Sequence, residues 1–212
     1  MITIIAFFTM FIDHIGLLFF PEEEIWRIIW RIAFPLFAWW IVRWYRFTRN
    51  KRNYAKRIFI LAIISQIPIF LLFWNQIFNI CFTLLFWLFS LEIIQTQKLK
   101  IYLKFIFIWF LLYLSEYLKF DYSIYGILTI ILLYIFWQQK KSIIYFTILT
   151  LLFYNIDYKN LEFVYNYQIY AIFAIFLLYF TSLQKYDFKL NFYFKYLFYP
   201  VHLSILYLIL QF

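Results

Sequence analysis

The sequence predicts an all-α polytopic bundle of transmembrane helices, and its composition and charge pattern are the reasons. It is 67% hydrophobic and 14% charged, whereas soluble domains are about 45–50% apolar and about 25% charged. A water-soluble core cannot enclose this much apolar surface. Basic and acidic loops also alternate along the chain, which is the pattern expected when each apolar segment crosses a bilayer.

Nine apolar segments approach the roughly 20 residues that cross a bilayer as a helix. They lie near residues 2–20, 25–42, 58–74, 79–95, 101–117, 123–138, 142–155, 164–182 and 195–211. The sixth and seventh segments are short, which leaves a tilted, re-entrant or interfacial path open for them. No repeat or linker divides the chain, so residues 1–212 are expected to form a single integral-membrane domain.

The loop charges predict the orientation. Fifteen of the 19 Lys and Arg residues lie in or beside the loops that follow even-numbered spans. The other loops contain only Lys119 and Lys159, together with most of the acids. Cytoplasmic loops carry the positive charge, so the N-terminus is predicted on the cytoplasmic side of the membrane and the C-terminus on the outer side. The +9 net charge then reflects topology and attraction to membrane lipids, and no nucleic-acid partner is expected.

The first two spans carry ionisable groups that hydrocarbon should exclude: Asp13, His14, Arg27 and Arg31. A charge at the bilayer centre costs roughly 2.5–3.5 kcal/mol even on the more lenient scale. Residues 14 and 31 are symmetric about the acidic turn at 21–24, so antiparallel packing brings them to one depth. These four residues are therefore expected to pair with one another, to line a water-filled cavity or to have a function.

Two interpretations of this group remain open. In one, Asp13 pairs with Arg31 or Arg27, and His14 faces a cavity as a neutral imidazole that acts as a general base. In the other, the Asp–Arg pair is only structural and His14 bonds a backbone carbonyl.

Further polar residues lie within the later spans. Gln66, Asn79, Thr83 and Tyr125 are candidates for binding a substrate, although interhelical hydrogen bonding or interfacial anchoring is the alternative. Glu92 is expected to meet a lysine. No residue spacing suggests a metal site, and Cys81 is the single cysteine.

Several motifs resemble the TraX-like family from end to end. They are Asp13-His14-Ile15-Gly16, Arg31-Ile32-Ala33-Phe34-Pro35-Leu36-Phe37-Ala38, Thr48-Arg49-Asn50, Ser65-Gln66-Ile67-Pro68, Asn79-Ile80 with Thr83, Tyr125-Gly126-Ile127, and Lys195-Tyr196-Leu197-Phe198-Tyr199-Pro200-Val201-His202. Members resemble the conjugative pilin acetylase, a membrane enzyme that acetylates the amino terminus of pilin.

The resemblance implies an acetyltransferase of a bacterial cytoplasmic membrane that takes acetyl-CoA from the cytoplasm and modifies an acceptor peptide or glycan at the outer side. The candidates for lining the acceptor side are then Gln66, Asn79, Thr83 and Tyr125. His14 would then be the base, with Asp13 setting its environment and Arg31 stabilising an oxyanion. The CoA-binding candidates are Arg43, Arg46, Arg49 and Arg52 for the phosphates, with Tyr199 and His202 toward the thioester. Plain positive-inside anchoring is the alternative for each arginine.

Two other functions remain open. One is O-acetylation of a surface glycan by the same chemistry. The other is a proton-coupled transporter, because intramembrane Asp, His and Arg would also suit a carrier. The lack of an inverted repeat weighs against a carrier.

Overall fold

The computed structural model describes residues 2–74, 78–137, 139–160, 162–180 and 191–211, apart from the side chains at 27, 30, 180 and 192. Lys185, Lys189 and the predicted end of the eighth span fall outside the described residues, as does the side chain of Arg27. The α-helices in the described ranges are α1 (Ile2–Phe19), α2 (Glu24–Phe47), α3 (Lys51–Phe73), α4 (Ile80–Gln95), α5 (Ile101–Tyr117), α6 (Ser123–Ile135), α7 (Lys141–Thr150), α8 (Ala171–Phe180) and α9 (Phe192–Ile209).

The prediction of an all-α fold is confirmed. The described residues contain β-structure only as a hairpin of two-residue strands, β1 (Ile156–Asp157) and β2 (Glu162–Phe163), and one isolated bridge. Three of the described helices, α1, α2 and α3, are long and apolar enough to cross a membrane. The others are shorter or less apolar.

The predicted spans 25–42 and 58–74 leave the basic segment 43–57 between them as a loop. This segment is mostly helical, so that prediction was wrong. Helix α2 continues to Phe47 and α3 begins at Lys51, which leaves only residues 48–50 between them. Arg and Lys are good helix formers, and their long side chains let a helix extend beyond the apolar layer. The Asn50 side chain accepts a hydrogen bond from the backbone N–H of Asn53 at 2.9 Å and caps α3.

The predicted spans six to eight also differ from the helices observed. Helix α6 ends at Ile135 rather than at 138. Helix α7 is α-helical only to Thr150 and continues as a π-helical segment, Leu151–Asn155. The eighth predicted span begins with extended chain and a 3₁₀ turn, Tyr167–Tyr170, before α8 starts. An apolar run does not reveal such changes in winding, because it is apolar at nearly every position and so shows no helical period.

The chain packs as two compact units. Unit 1 contains residues Met1–Arg43 and Leu132–Lys189, and unit 2 contains Trp44–Ile131 and Leu190–Phe212. That the whole chain acts as one domain stays a prediction.

Unit 1 contains the hairpin of α1 and α2. Gly16 is required at their contact, because a Cβ atom there would lie 2.6 Å from the Cβ atom of Trp26. Ring contacts fix the rest of the hairpin: Phe20 stacks on Trp26 at 5.2 Å, and Phe7 meets Phe37 edge-on at 5.1 Å. Each contacting pair is nearly symmetric about the turn, which defines an antiparallel register.

Unit 2 is built around α3, which packs on both α4 and α9. Ahead of α4, the N–H of Asp121 donates to the carbonyl of Phe78 at 2.9 Å, which ties this segment to the loop before α6. The Phe78 and Phe86 rings both pack on Phe120, with centroids 5.5 and 4.6 Å away. This cluster fixes the α4 end that carries Asn79.

Candidate functional site

His14 is 8% exposed and lies on α1 in unit 1. Its Nδ1 atom is 2.8 Å from the carbonyl oxygen of Met10, one turn earlier. A carbonyl oxygen only accepts, so Nδ1 carries the hydrogen in the neutral ring and Nε2 carries the lone pair. The backbone bond predicted by the structural interpretation is therefore present, and it also sets the tautomer that a base would need.

Asp13 and Arg31, the predicted companions of His14, are both half-buried. The α1–α2 register places residues 14 and 31 at similar heights in the hairpin, because the symmetric contacts at Gly16 and Phe7 lie on either side of them. Pro35, one turn beyond Arg31, is buried inside α2. The catalytic roles of the three polar residues stay predictions.

His202 and Tyr199 lie on the buried side of α9 in unit 2, at 4% and 7% exposed. The Nδ1 atom of His202 is 2.6 Å from the carbonyl oxygen of Phe198, and its ring stacks on the Phe198 ring at 4.9 Å. Both histidines thus bond the carbonyl four residues earlier and carry the lone pair on Nε2. A role for His202 and Tyr199 in binding CoA stays a prediction.

Gln66 and Asn79, predicted on the acceptor side, join α3 to α4. The Nδ2 atom of Asn79 donates to the Gln66 side-chain oxygen at 2.9 Å and to the carbonyl of Ala62 at 2.8 Å. Its backbone N–H also donates to Gln66, and its Oδ1 atom caps α4 by accepting from the N–H of Cys81. These bonds match the interhelical alternative, and acceptor binding by this pair stays a prediction.

Thr83 and Tyr125, the other two predicted acceptor residues, are also buried in unit 2. The Thr83 hydroxyl donates to the backbone carbonyl of Asp121 at 2.5 Å. The Tyr125 ring lies 6.4 Å from that of Tyr122. Their contacts hold the loop before α6 against α4, and binding of an acceptor by them stays a prediction.

A pocket of about 260 Å³ lies in unit 2, at the end of α4 and the start of α3. We name it the Lys51 pocket. Its lining combines two cations, one carboxylate, one phenol and three apolar side chains: Lys51, Arg52, Glu92, Tyr45, Ala55, Leu88 and Phe89. Ligand pockets are typically about 300–1,000 Å³, so this volume suits one part of a larger ligand.

A hydrogen-bonded network forms one wall of the Lys51 pocket. The phenol of Tyr45, only 1% exposed, donates to Glu92 Oε1 at 2.8 Å. The Lys51 ammonium donates to Gln95 Oε1 at 2.5 Å and lies 4.4 Å from the centre of the Tyr45 ring. Trp87 packs edge-on against that ring at 5.5 Å. Glu92 was predicted to meet a lysine; the hydrogen bond that it accepts comes from Tyr45, Lys51 lines the same pocket, and a contact between Glu92 and a lysine stays a prediction.

The local electrostatics of the Lys51 pocket favour an anion. Lys51 and Arg52 are the first two residues of α3, where backbone N–H groups point out of the helix and the dipole is positive. Asn50 caps the N–H of Asn53, so the N–H groups of residues 51 and 52 are the ones left for a ligand. Helix N-termini with added cationic side chains are common phosphate sites.

Four arginines were predicted to bind the phosphates of CoA, and of these only Arg52 lines the Lys51 pocket. Arg43 lies instead over the Trp39 ring at 5.4 Å, within unit 1. Arg46 and Arg49 are exposed on the last turn of α2 and on the connection to α3. The sequence did not reveal that Lys51, Tyr45 and Glu92 lie together. The signal that could have located Lys51 is Asn50, a residue type that favours the N-cap position and so predicts a helix that begins at residue 51.

Comparison with known proteins places the chain in a family. The family model described as TraX protein matches residues 1–210. The chain belongs to the TraX family. The TraX match covers both units and every candidate residue named above, so the predicted resemblance is confirmed.

The chain is also similar to a protein of Dichelobacter nodosus described as "Probable fimbrial assembly protein FimC, serogroup H1", with 27% identity over 156 residues. The alignment covers 66% of this chain and 62% of that protein. No solved structure matches the chain.

Proposed function

We propose that this TraX family member is a multi-pass membrane acetyltransferase that moves an acetyl group from cytoplasmic acetyl-CoA to an amine on the outer side, such as a pilin-like N-terminus. The observation that carries the proposal is the Lys51 pocket, an anion-favouring site in a chain whose family is linked to pilins. The similarity to a fimbrial assembly protein supports an acceptor of this kind.

The proposed topology has nine spans, with the N-terminus in the cytoplasm and the C-terminus outside, in a bacterial inner membrane. The alternating loop charges support it. The shorter helices α4 to α8 would cross as part of the bundle, where neighbouring helices satisfy the backbone at their ends. In this orientation the Lys51 pocket opens to the cytoplasm, where acetyl-CoA is made.

The pocket residues fit the nucleotide end of acetyl-CoA. Lys51 and Arg52, with the N-terminus of α3, supply positive charge for the phosphates. Ala55, Leu88 and Phe89 supply apolar surface. The pocket is too small for the whole molecule, so the pantetheine arm would extend beyond it.

The chemistry proposed is direct acyl transfer, with His14 as the base. The acceptor nitrogen attacks the thioester carbonyl carbon, and Nε2 of His14 takes a proton from that nitrogen. The C–S bond then breaks, and the proton passes to the sulfur of the leaving CoA. The bond from Nδ1 to Met10 keeps Nε2 unprotonated before the reaction. Arg31 is the candidate for stabilising the oxyanion.

The test uses purified protein in nanodiscs with acetyl-CoA and a pilin N-terminal peptide. We expect CoA thiol release that depends on the peptide, together with a mass increase of one acetyl group on its amino terminus. Thiol release without an acetylated product, or no turnover with any amine, would refute the proposal. A carrier would move its solute without releasing CoA thiol.

Paired variants test the pocket. Lys51→Ala with Arg52→Ala should raise the KM for acetyl-CoA about tenfold or more, because charge-assisted hydrogen bonds contribute roughly 1.5–3 kcal/mol each. The matched control is Arg46→Ala with Arg49→Ala, which removes equal charge from residues that do not line the pocket. Equal effects of both pairs would mean that general surface charge, rather than this pocket, attracts the nucleotide.

A further inference from the structure

Glu92 is the acidic residue in the lining of a pocket that otherwise favours anions. Its Oε1 atom accepts the hydrogen bond from Tyr45 at 2.8 Å. A carboxylate has two oxygens and about four acceptor positions, so this bond leaves Glu92 able to accept from a ligand as well. A carboxylate beside a phosphate site weakens anion binding unless it meets a donor on the same ligand.

The side chains that line the Lys51 pocket therefore suit a ligand with three chemically different parts. The start of α3, with Lys51 and Arg52, suits an anionic group. The apolar side chains of Ala55, Leu88 and Phe89 suit a flat or aliphatic group. Glu92, on α4, suits a hydrogen-bond donor. An adenine nucleotide has all three, because its planar ring carries a 6-amino donor and its ribose carries phosphate.

We propose that Glu92 determines the base specificity of the Lys51 pocket by accepting a hydrogen bond from the 6-amino group of adenine. This inference rests on the proposed function, because it takes acetyl-CoA as the ligand. The adenine ring would lie against Leu88 and Phe89, and the phosphates would meet Lys51 and Arg52. The 260 Å³ volume suits a base with part of its ribose.

A hypoxanthine ring in place of adenine supplies the sharpest test. It has the same shape but carries a carbonyl oxygen where adenine has the amino group, so an acceptor would face the Glu92 carboxylate. We expect the protein to bind CoA about tenfold more tightly than the hypoxanthine analogue, since hydrogen bonds to a charged group are stronger than those between neutral groups.

The experiment measures the Kd of CoA and of its hypoxanthine analogue by calorimetry on the full chain in nanodiscs. Glu92→Gln should remove the preference, because the amide can donate to hypoxanthine as readily as it accepts from adenine. The matched control is Tyr45→Phe, which removes the hydrogen bond to Oε1 but keeps the carboxylate. It should retain the preference, whatever it does to overall affinity.

The outcomes separate this inference from the proposed function. Equal binding of both nucleotides by the unaltered protein, or a preference that survives Glu92→Gln, would overturn base recognition while acetyl-CoA remained the substrate. No binding of CoA by the unaltered protein would overturn the proposed function itself. Loss of the preference in Glu92→Gln and its retention in Tyr45→Phe would together establish the inference.

Discussion

The Nδ1 atom of His14 lies 2.8 Å from the carbonyl oxygen of Met10, one helical turn earlier in α1. Because the carbonyl can only accept, this bond keeps the hydrogen on Nδ1 and the lone pair on Nε2. The same contact anchors the ring to its own helix. A variant that keeps the anchor but lacks a basic nitrogen therefore separates the structural role of His14 from the chemical one.

The first prediction concerns that variant. His14→Asn places an amide N–H near the position of Nδ1, so it can still donate to Met10, but it cannot accept a proton at neutral pH. We expect acetyl transfer to fall about 10²–10⁴-fold, the usual contribution of a general base, with thermal stability close to that of the unaltered protein. Full activity in this variant would show that His14 is only structural.

The second prediction concerns Gly16. A Cβ atom at this position would lie 2.6 Å from the Cβ of Trp26, and a Cβ atom cannot rotate away as the end of a side chain can. Gly16→Ala must therefore separate α1 from α2, at a cost of about 1–3 kcal/mol. Thermal unfolding in detergent measures it. Leu17→Ala is the control, because Leu17 is exposed on α1; equal destabilisation by both would contradict close packing at Gly16.

The sequence was sufficient for the fold class and for most helix positions, because the cost of placing backbone and charge in hydrocarbon is large and local. The sequence was not sufficient where two local conformations, such as loop and helix or α- and π-helix, differ little in free energy. The charge of the segment at 43–57 predicts a loop, yet helix propensity extends α2 to Phe47 and the Asn50 cap starts α3 at Lys51. The π-helical segment at Leu151–Asn155 leaves no mark in hydropathy.

The candidate site was predictable only in part, because residues that stand out within one apolar segment can be recognised in the sequence, whereas a pocket formed by several helices cannot. Asp13, His14 and Arg31 could be identified from the sequence because ionisable residues are anomalous within apolar segments. The Lys51 pocket combines residues from the end of α2, the start of α3 and the end of α4. In the sequence, Lys51 and Arg52 look like any other basic residues between two apolar segments, and the phenol bond from Tyr45 to Glu92 joins residues 47 positions apart.

The third prediction separates the two roles of Asn79. Its Oδ1 atom caps α4, while its Nδ2 atom donates to Ala62 and Gln66 on α3. Asn79→Ser keeps a capping oxygen but loses the interhelical donors, and Asn79→Ala loses both. We expect Asn79→Ala to be less stable than Asn79→Ser by about 0.5–2 kcal/mol, the usual contribution of a cap. Unfolding of α4 in denaturant titrations measures the difference, and identical midpoints would mean that the cap contributes nothing here.

The last prediction concerns Asn50, which caps α3 beside the proposed phosphate site. Asn50→Asp retains an oxygen to accept from the N–H of Asn53, and its charge suits the positive end of the helix. The same charge would repel phosphates held by Lys51 and Arg52. We therefore expect unchanged or slightly higher thermal stability together with a severalfold higher KM for acetyl-CoA, and a KM that falls back toward the original as salt screens the repulsion. Asn50→Ala is the contrasting variant, because it loses the cap without adding charge and should lower stability more than it raises KM. If Asn50→Asp left the KM unchanged at low salt, the phosphates could not lie at the start of α3.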